Sequence, residues 1–160
     1  MTSNKTAILW DIDGTLAPFG AVRRGLTVVS SAWGAMVVDP TIVDVALSLD
    51  ADHFWFTNRG ADEAHQITTT LELPQIEAID TWVRDGQEWP DEWPKAAALR
   101  IFQEDHDYQR VVIVDDEMVT EDALAALGEA KHLLIRPDHS TGLTVDELDC
   151  ITGFLGGDAR

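Results

Sequence analysis

Short apolar runs closed by turn residues mark the predicted strands of this chain. Four such runs are apolar enough to be buried on both faces of a sheet, and they cover residues 7–10, 53–56, 111–114 and 133–135. The β-branched residues of the run 111–114 make it the clearest of the four. A short fifth strand is expected near residues 76–79.

Helical patterns alternate with these runs and begin at recognisable caps. Asp39 and Pro40 offer an N-cap and a proline at the first helical position, which predicts a helix over residues 40–49. Thr144 and Glu147 have the spacing of a capping box, which predicts a last helix. Further helices are predicted over residues 94–102 and 120–127. Apolar strands alternating with helices predict an α/β fold, a three-layer α/β/α Rossmann-like parallel sheet.

Composition and charge narrow the classes of function. A chain of 160 residues, 45% hydrophobic and 25% charged, suits one globular domain over residues 1–160. The net charge of −18 disfavours extended nucleic-acid duplexes and anionic membranes as partners. The single cysteine, Cys150, falls in an apolar helical pattern that predicts buried packing. The polar start and the lack of a long apolar run predict a cytoplasmic protein, and the oligomeric state stays open.

Three of the predicted strands end in polar clusters, which occupy residues 11–15, 57–60 and 115–117. In parallel sheets, ligands bind outside the carboxyl ends of the strands, near the point where the strand order reverses. The three clusters are therefore expected to converge on one site.

Four acidic residues of these clusters predict a metal site: Asp11, Asp13, Asp115 and Asp116. Like charges at about 4 Å repel by about 4 kcal/mol at an effective dielectric constant of about 20, so the cluster needs protons or a cation. Carboxylates without His or Cys favour Mg²⁺. Asp11, at the end of its strand, is placed to attack phosphorus as a nucleophile, and Asp13 to protonate the leaving oxygen and later to activate water.

A phosphoryl group also needs hydrogen-bond donors and positive charge. Thr57 offers a hydroxyl at the end of the second strand. Of the three lysines, Lys5 and Lys131 precede strands and fall at the opposite edge of the sheet. Lys95, at the start of a predicted helix, is the lysine that topology leaves for the site.

These residues resemble the four motifs of the haloacid-dehalogenase (HAD) superfamily, in the family's order and over roughly the whole chain. Asp-Ile-Asp-Gly-Thr-Leu, from Asp11, matches motif I, and Thr57 with Asn58 is similar to motif II. Lys95 resembles motif III, and Asp115 with Asp116 resembles motif IV.

The resemblance implies a phosphatase with an aspartyl-phosphate on Asp11 and general acid/base chemistry by Asp13. It also implies phosphoryl contacts from the motif II and III residues, which are Thr57, Asn58 and Lys95. Mg²⁺ would be held by Asp11, the backbone carbonyl of Asp13, and the pair Asp115 and Asp116. The Trp-rich middle and residues 136–144 resemble a HAD subgroup associated with RNA-repair proteins.

The intervals between the motifs are too short for a separate cap domain, which predicts an open site like that of capless members of the superfamily. Segments 18–31 and 82–93 are expected to border its entrance, where exposed tryptophan could stack on a planar group. The candidate contacts at this entrance are Arg23, Arg24, Arg59 and Trp89.

Each motif also has a structural interpretation. An EF-hand loop from Asp11 is excluded, because its sixth and twelfth positions are Leu16 and Val22 rather than Gly and Glu. The acidic pair after the third strand could be a solvated helix start, and Asn58 could cap the next helix. Arg59 could contact substrate or pair with a surface acid, and the tryptophans could be core or loop anchors.

The preferred hypothesis is therefore a Mg²⁺-dependent phosphatase acting on a phosphorylated small molecule, a nucleotide or a nucleic-acid end. Two alternatives remain open from the sequence. One is the phosphatase component of a nucleic-acid end-repair system, and the other is a phosphoryl-binding module without turnover.

Overall fold

The computed structural model describes residues 5–20, 25–32, 34–82 and 93–157. In these ranges the chain forms seven strands and five helices. In chain order they are β1 (Thr6–Trp10), β2 (Thr27–Val29), β3 (Met36–Val38), α1 (Pro40–Leu47), β4 (Asp52–Trp55), α2 (Ala61–Thr70), β5 (Glu77–Ala78), α3 (Ala96–His106), β6 (Arg110–Val114), α4 (Thr120–Leu127), β7 (Lys131–Ile135) and α5 (Val145–Gly156).

Five strands form a parallel sheet in the order β5-β4-β1-β6-β7. The central strand β1 aligns Leu9 with Phe54 of β4 on one side and with Ile113 of β6 on the other. The chain runs outward from β1 through β4 to β5 and then returns to the other side for β6 and β7. The strand order therefore reverses between β1 and β6, which is where a parallel sheet opens a crevice for a ligand.

Helices cover both faces of this sheet. Ile8 and Trp10 of β1 belong to a core cluster with buried residues of α1, α2 and α5. Ala7 and Leu9 point the other way, into a cluster with α3 and α4. Since successive side chains of a strand alternate between faces, β1 is buried twice, which accounts for its uninterrupted apolar sequence. The predicted α/β fold with a parallel sheet is confirmed.

Some elements differ from the predictions at their bounds. Strands β2 and β3 pair antiparallel between motif I and α1, where no strands were expected. Helix α3 begins at Ala96 and extends to His106 rather than spanning residues 94–102. The capping box of α5 is present, with the Thr144 hydroxyl and the Glu147 carboxylate each bonding to the other's backbone N–H.

The predicted burial of Cys150 is wrong, because this thiol is exposed. The buried residues of α5 are Leu148 and Ile151, which lie three positions apart on one face. Cys150 lies beside this stripe. In the part of the chain that the structure describes, no helix combines the length and the apolar character needed to cross a bilayer.

Candidate active site

The carboxyl ends of β1, β4 and β6 place the predicted clusters side by side. The Asp11 N–H donates to the carbonyl of Val114 at 2.9 Å, and the Asp115 N–H donates to the carbonyl of Ile135 at 3.1 Å. These bonds continue the sheet ladder by one residue beyond each strand. The first acidic residues after β1 and β6 are thus held as rigidly as the strands themselves.

Three buried carboxylates meet at this edge of the sheet. One oxygen each of Asp11, Asp115 and Asp116 lies within 4.8 Å of the others, and all three residues are buried. At that separation, and at an effective dielectric constant of about 20, each ionised pair repels by roughly 3 kcal/mol or more. The expected convergence of the strand ends is therefore observed, and it creates an excess of negative charge that needs a cation or protons.

Lys95 supplies one of the compensating charges. Its Nζ lies 2.9 Å from Oδ1 of Asp11 and 2.6 Å from Oδ2 of Asp115. The residue immediately precedes α3 and is 3% exposed. Topology alone had left this lysine for the site, and its ammonium group bridges the ends of β1 and β6.

The pKa values follow from burial and from these neighbours. Burial and the charge of Asp115 together raise the pKa of Asp11 to about 7, against the opposing effect of Lys95. Burial alone would lower the pKa of Lys95, but the carboxylates of Asp11 and Asp115 outweigh it and raise that pKa. Burial and the charge of Asp115 also raise the pKa of Asp116. The lysine is therefore held protonated, and the carboxylates are short of positive charge.

Gly14 and Thr15 explain why small residues follow the first acids. Gly14 has a φ of +71°, and a Cβ there would lie 2.1 Å from Oδ2 of Asp116, so only glycine allows the carboxylate to pack against this turn. The Thr15 hydroxyl accepts the Asp116 N–H at 3.2 Å. Motif I thus fixes the acidic pair after β6 as well as presenting its own aspartates.

Asp13 forms a tight pair with Arg59. The guanidinium donates from Nε and Nη2 to the two carboxylate oxygens of Asp13, each at 2.7 Å. Arg59 is largely buried, whereas the Asp13 side chain is more than one-third exposed. Asp13 is not one of the three grouped carboxylates. Its predicted contact with a metal through the backbone carbonyl stays a prediction. Sequence reasoning left the partner of Arg59 open, because no spacing rule links residues 46 positions apart.

Thr57 and Asn58 lie at the end of β4, beside the same site. Thr57 is buried, and its backbone carbonyl accepts a hydrogen bond from the Thr81 hydroxyl at 2.8 Å. Asn58 is exposed, and its carbonyl accepts the indole N–H of Trp82 at 3.0 Å. The N-cap of α2 is Gly60, without a side-chain cap, so Asn58 does not have the capping role that was its alternative interpretation.

The candidate residues line one cleft with a volume of about 400 Å³. The predicted members of its lining are Asp11, Asp13, Thr57, Asn58, Lys95, Asp115 and Asp116. Glu117, from the predicted cluster 115–117, and Phe19, from the predicted entrance segment 18–31, also line it, whereas sequence reasoning missed Val119. Val119 is an exposed apolar residue two positions beyond the polar cluster 115–117, and that placement is the signal that could have revealed it.

The predicted entrance is described in part. Arg23, Arg24 and Trp89 lie outside the described residues. Trp93, also considered as an exposed stacking surface, is instead buried against Phe56, with ring centroids 5.7 Å apart. The expected absence of a cap domain stays a prediction.

The donor set fits a hard divalent cation. The three grouped ligands are all carboxylates, and their oxygens lie within 4.8 Å of one another. Cis and trans ligands of octahedral Mg²⁺, at about 2.1 Å from the ion, are about 3 and 4 Å apart, so small movements bring three oxygens onto one ion. Lys95 contacts Oδ1 of Asp11 and Oδ2 of Asp115, and Oδ1 of Asp115 accepts the Glu117 N–H at 2.9 Å, so a cation would use the remaining lone pairs of these oxygens.

Comparison with known proteins gives no match: no family model, no curated protein and no solved structure is significantly similar to this chain.

Proposed function

We propose that this protein is a Mg²⁺-dependent phosphatase that hydrolyses a phosphomonoester through an aspartyl-phosphate, as the resemblance to HAD phosphatases implies. The observation that carries the proposal is the contact of Lys95 with both Asp11 and Asp115, beside the carboxylate of Asp116. An anionic nucleophile approaches an anionic phosphate only where positive charge offsets their repulsion. Asp11 has the buried ammonium of Lys95 beside it, and it lies next to the carboxylates of Asp115 and Asp116, which could hold a cation.

Asp11 is the proposed nucleophile because it lies at the carboxyl end of the central strand and lines the cleft. A carboxylate oxygen of Asp11 attacks phosphorus in line, and the bond from phosphorus to the leaving alcohol oxygen breaks. Lys95 and Thr57 stabilise the equatorial phosphoryl oxygens. Mg²⁺ held by Asp11, Asp115 and Asp116 would neutralise the negative charge that phosphate brings to the site.

Asp13 is the proposed general acid and base. It donates a proton to the leaving oxygen, and in the second step it takes a proton from the water that attacks the aspartyl-phosphate. Its carboxylate oxygens are both engaged by Arg59, so proton transfer requires at least one of these bonds to open. Arg59 thereby fixes the orientation of the Asp13 carboxylate, which lines the cleft.

The test is phosphate release from a panel of nucleotides, sugar phosphates, aryl phosphates and phosphorylated oligonucleotide ends, with Mg²⁺ and with a chelator. We expect Mg²⁺-dependent turnover that Asp11→Asn abolishes and Asp105→Asn retains, since Asp105 is an exposed acid near the C-terminal end of α3, about 15 Å along the helix from Lys95. Quenched enzyme should carry labelled phosphate that hydroxylamine removes, as an acyl phosphate requires.

The same experiment separates the phosphatase from a phosphoryl-binding module. A binding module would take up phosphate in the presence of Mg²⁺ but release none from any ester. Turnover that persists undiminished in Asp11→Asn would overturn the assignment of the nucleophile.

A further inference from the structure

An exposed aromatic ring lies at the rim of the candidate active site. Phe19 is 67% exposed and lines the cleft that contains Asp11 and Lys95. It also lines a second, adjoining cavity of about 580 Å³, together with Asp116, Glu117, Arg136 and His139. Phe19, Asp116 and Glu117 line both cavities, so the two cavities adjoin at these residues.

The position of Phe19 is fixed by its backbone. Its N–H donates to the carbonyl of His139 at 2.9 Å, and the two rings lie 6.5 Å apart. Gly20 packs so closely against the next turn that a Cβ would lie 1.9 Å from the Ser140 carbonyl oxygen. Phe19 lies between this close packing of Gly20 and the motif I turn, and its ring is left exposed to solvent. An apolar side chain exposed by a tightly held backbone is available to a ligand.

The second cavity also contains a cationic group, Arg136, in a strongly acidic chain. Arg136 donates from Nε to the carbonyl of Asp116 at 3.0 Å, which ties it to the metal-binding side of the cleft. Among the described residues, Arg136 forms no ion pair with a carboxylate. Its terminal guanidinium nitrogens are therefore donors for an anion, and His139 adds a polar ring beside Phe19.

We propose that Phe19, Arg136 and His139 form the subsite for the leaving group, which binds a flat aromatic ring together with a second anionic group. This inference rests on the proposed function. The ring stacks on Phe19, and the anion accepts from Arg136, while the phosphoryl group lies against Asp11 and Lys95. The substrate class is thus a phosphomonoester whose alcohol carries an aromatic ring and another negative charge. A nucleotide with a second phosphate and phosphotyrosine both have this chemistry.

Matched substrates separate the contributions. Adenosine 5′-phosphate and ribose 5-phosphate share one ester and differ in the base, and adenosine 3′,5′-bisphosphate adds the second anion. Phosphotyrosine tests an aryl source of the ring. Stacking on an aromatic side chain predicts roughly a ten- to hundredfold higher kcat/KM for adenosine 5′-phosphate than for ribose 5-phosphate. A preference for the nucleotides over phosphotyrosine, or the reverse, identifies the source.

The test variants replace exposed side chains of the proposed subsite. Phe19→Leu keeps an apolar group and removes the π-face, so it should abolish the preference for adenosine 5′-phosphate over ribose 5-phosphate. Phe19→Trp should retain the preference. Arg136→Gln should abolish the added gain of the bisphosphate, and Val145→Ala, an exposed apolar change on α5, should alter none of these ratios.

Binding to the Asp11→Asn protein, measured by calorimetry with Mg²⁺, keeps this inference separate from the proposed reaction. Turnover without any preference for the base, and without an effect of Phe19→Leu, overturns the subsite and leaves the phosphatase standing. Tighter binding of adenosine 5′-phosphate than of ribose 5-phosphate, lost in Phe19→Leu, supports the subsite even where no ester is hydrolysed. If no ester is hydrolysed and adenosine 5′-phosphate and ribose 5-phosphate bind equally well, both the subsite and the proposed phosphatase activity are overturned.

Discussion

Replacing Lys95 by methionine tests the electrostatic design of the site most directly. Methionine keeps most of the length and the apolar stem of lysine and removes the charge. In the native protein that charge lies 2.9 Å from Asp11 and 2.6 Å from Asp115, in a nearly fully buried position. The substitution therefore leaves an excess of buried negative charge without its principal partner.

The magnitude follows from two opposing effects. At these distances each ion pair is worth about 6 kcal/mol at an effective dielectric constant of about 20, but desolvation of the three groups offsets most of this attraction. Removing one partner of a buried pair typically lowers stability by about 3–5 kcal/mol. Since the pKa of Asp11 is already raised to about 7, a proton can neutralise it near neutral pH at little expense. We therefore expect a loss near the lower bound, about 3 kcal/mol.

Urea denaturation at neutral pH, with a chelator and with Mg²⁺, measures this effect. The metal-free variant should lose about 3 kcal/mol, and Mg²⁺ should stabilise it more than it stabilises the wild type, because the cation then replaces the positive charge that Lys95 supplied. Lys5→Met is the matched control. Lys5 is exposed and lies 3.9 Å from Asp52, so its loss should stay below about 1 kcal/mol. Equal losses in the two variants, or no stabilisation of either by Mg²⁺, would refute the reasoning.

Three further outcomes are expected. Arg59→Gln should slow hydrolysis of alkyl phosphates more than of aryl phosphates, and we expect the same of Asp13→Asn, because both substitutions weaken protonation of poor leaving groups. Equal slowing of the two ester classes would contradict the positioning role of Arg59. Gly14→Ala should weaken Mg²⁺ binding by displacing Asp116, whereas Gly25→Ala, at a positive φ with open space around it, should not; calorimetric titration distinguishes them. Because the pKa of Asp11 is raised, the folded protein holds the carboxyl proton of Asp11 more tightly than the unfolded chain does. Metal-free wild type should therefore lose stability relative to Asp11→Asn as the pH rises from about 4 to about 7. A gain in stability over that pH range in denaturation experiments would contradict this prediction.

The central sheet could be predicted from the sequence because its strands are buried on both faces. β1 and β6 show this as unbroken apolar runs, and a parallel sheet then places the residues that follow them at one edge. The strands β2 and β3 have three residues each and include the exposed Val28, so no run or alternation marks them. Short strands without a continuous buried face carry too little pattern to be recognised.

Long-range side-chain pairs set the other limit of prediction. Lys95 was found by eliminating lysines at the wrong edge of the sheet, which needs only the direction of each strand. The pairing of Asp13 with Arg59 depends on the path of the loop after β4, and the exposure of Phe19 depends on the fit of Gly20 against Ser140. Neither loop path follows from spacing. The prediction for Cys150 is wrong because the buried apolar stripe of α5 is narrow and Cys150 lies beside it.

The charges around the cleft explain how so acidic a chain could serve an anionic substrate. Besides the exposed Glu117, the cleft contains four carboxylates, of Asp11, Asp13, Asp115 and Asp116, and the cations Lys95 and Arg59 form ion pairs with three of these four. Two negative charges remain, which is the charge that one divalent cation neutralises. Without that cation, burial and the charge of Asp115 raise the pKa values of both Asp11 and Asp116, which favours protonation of these carboxyl groups. Protonated Asp11 is a poor nucleophile, so the cation that admits phosphate would also keep Asp11 ionised for attack.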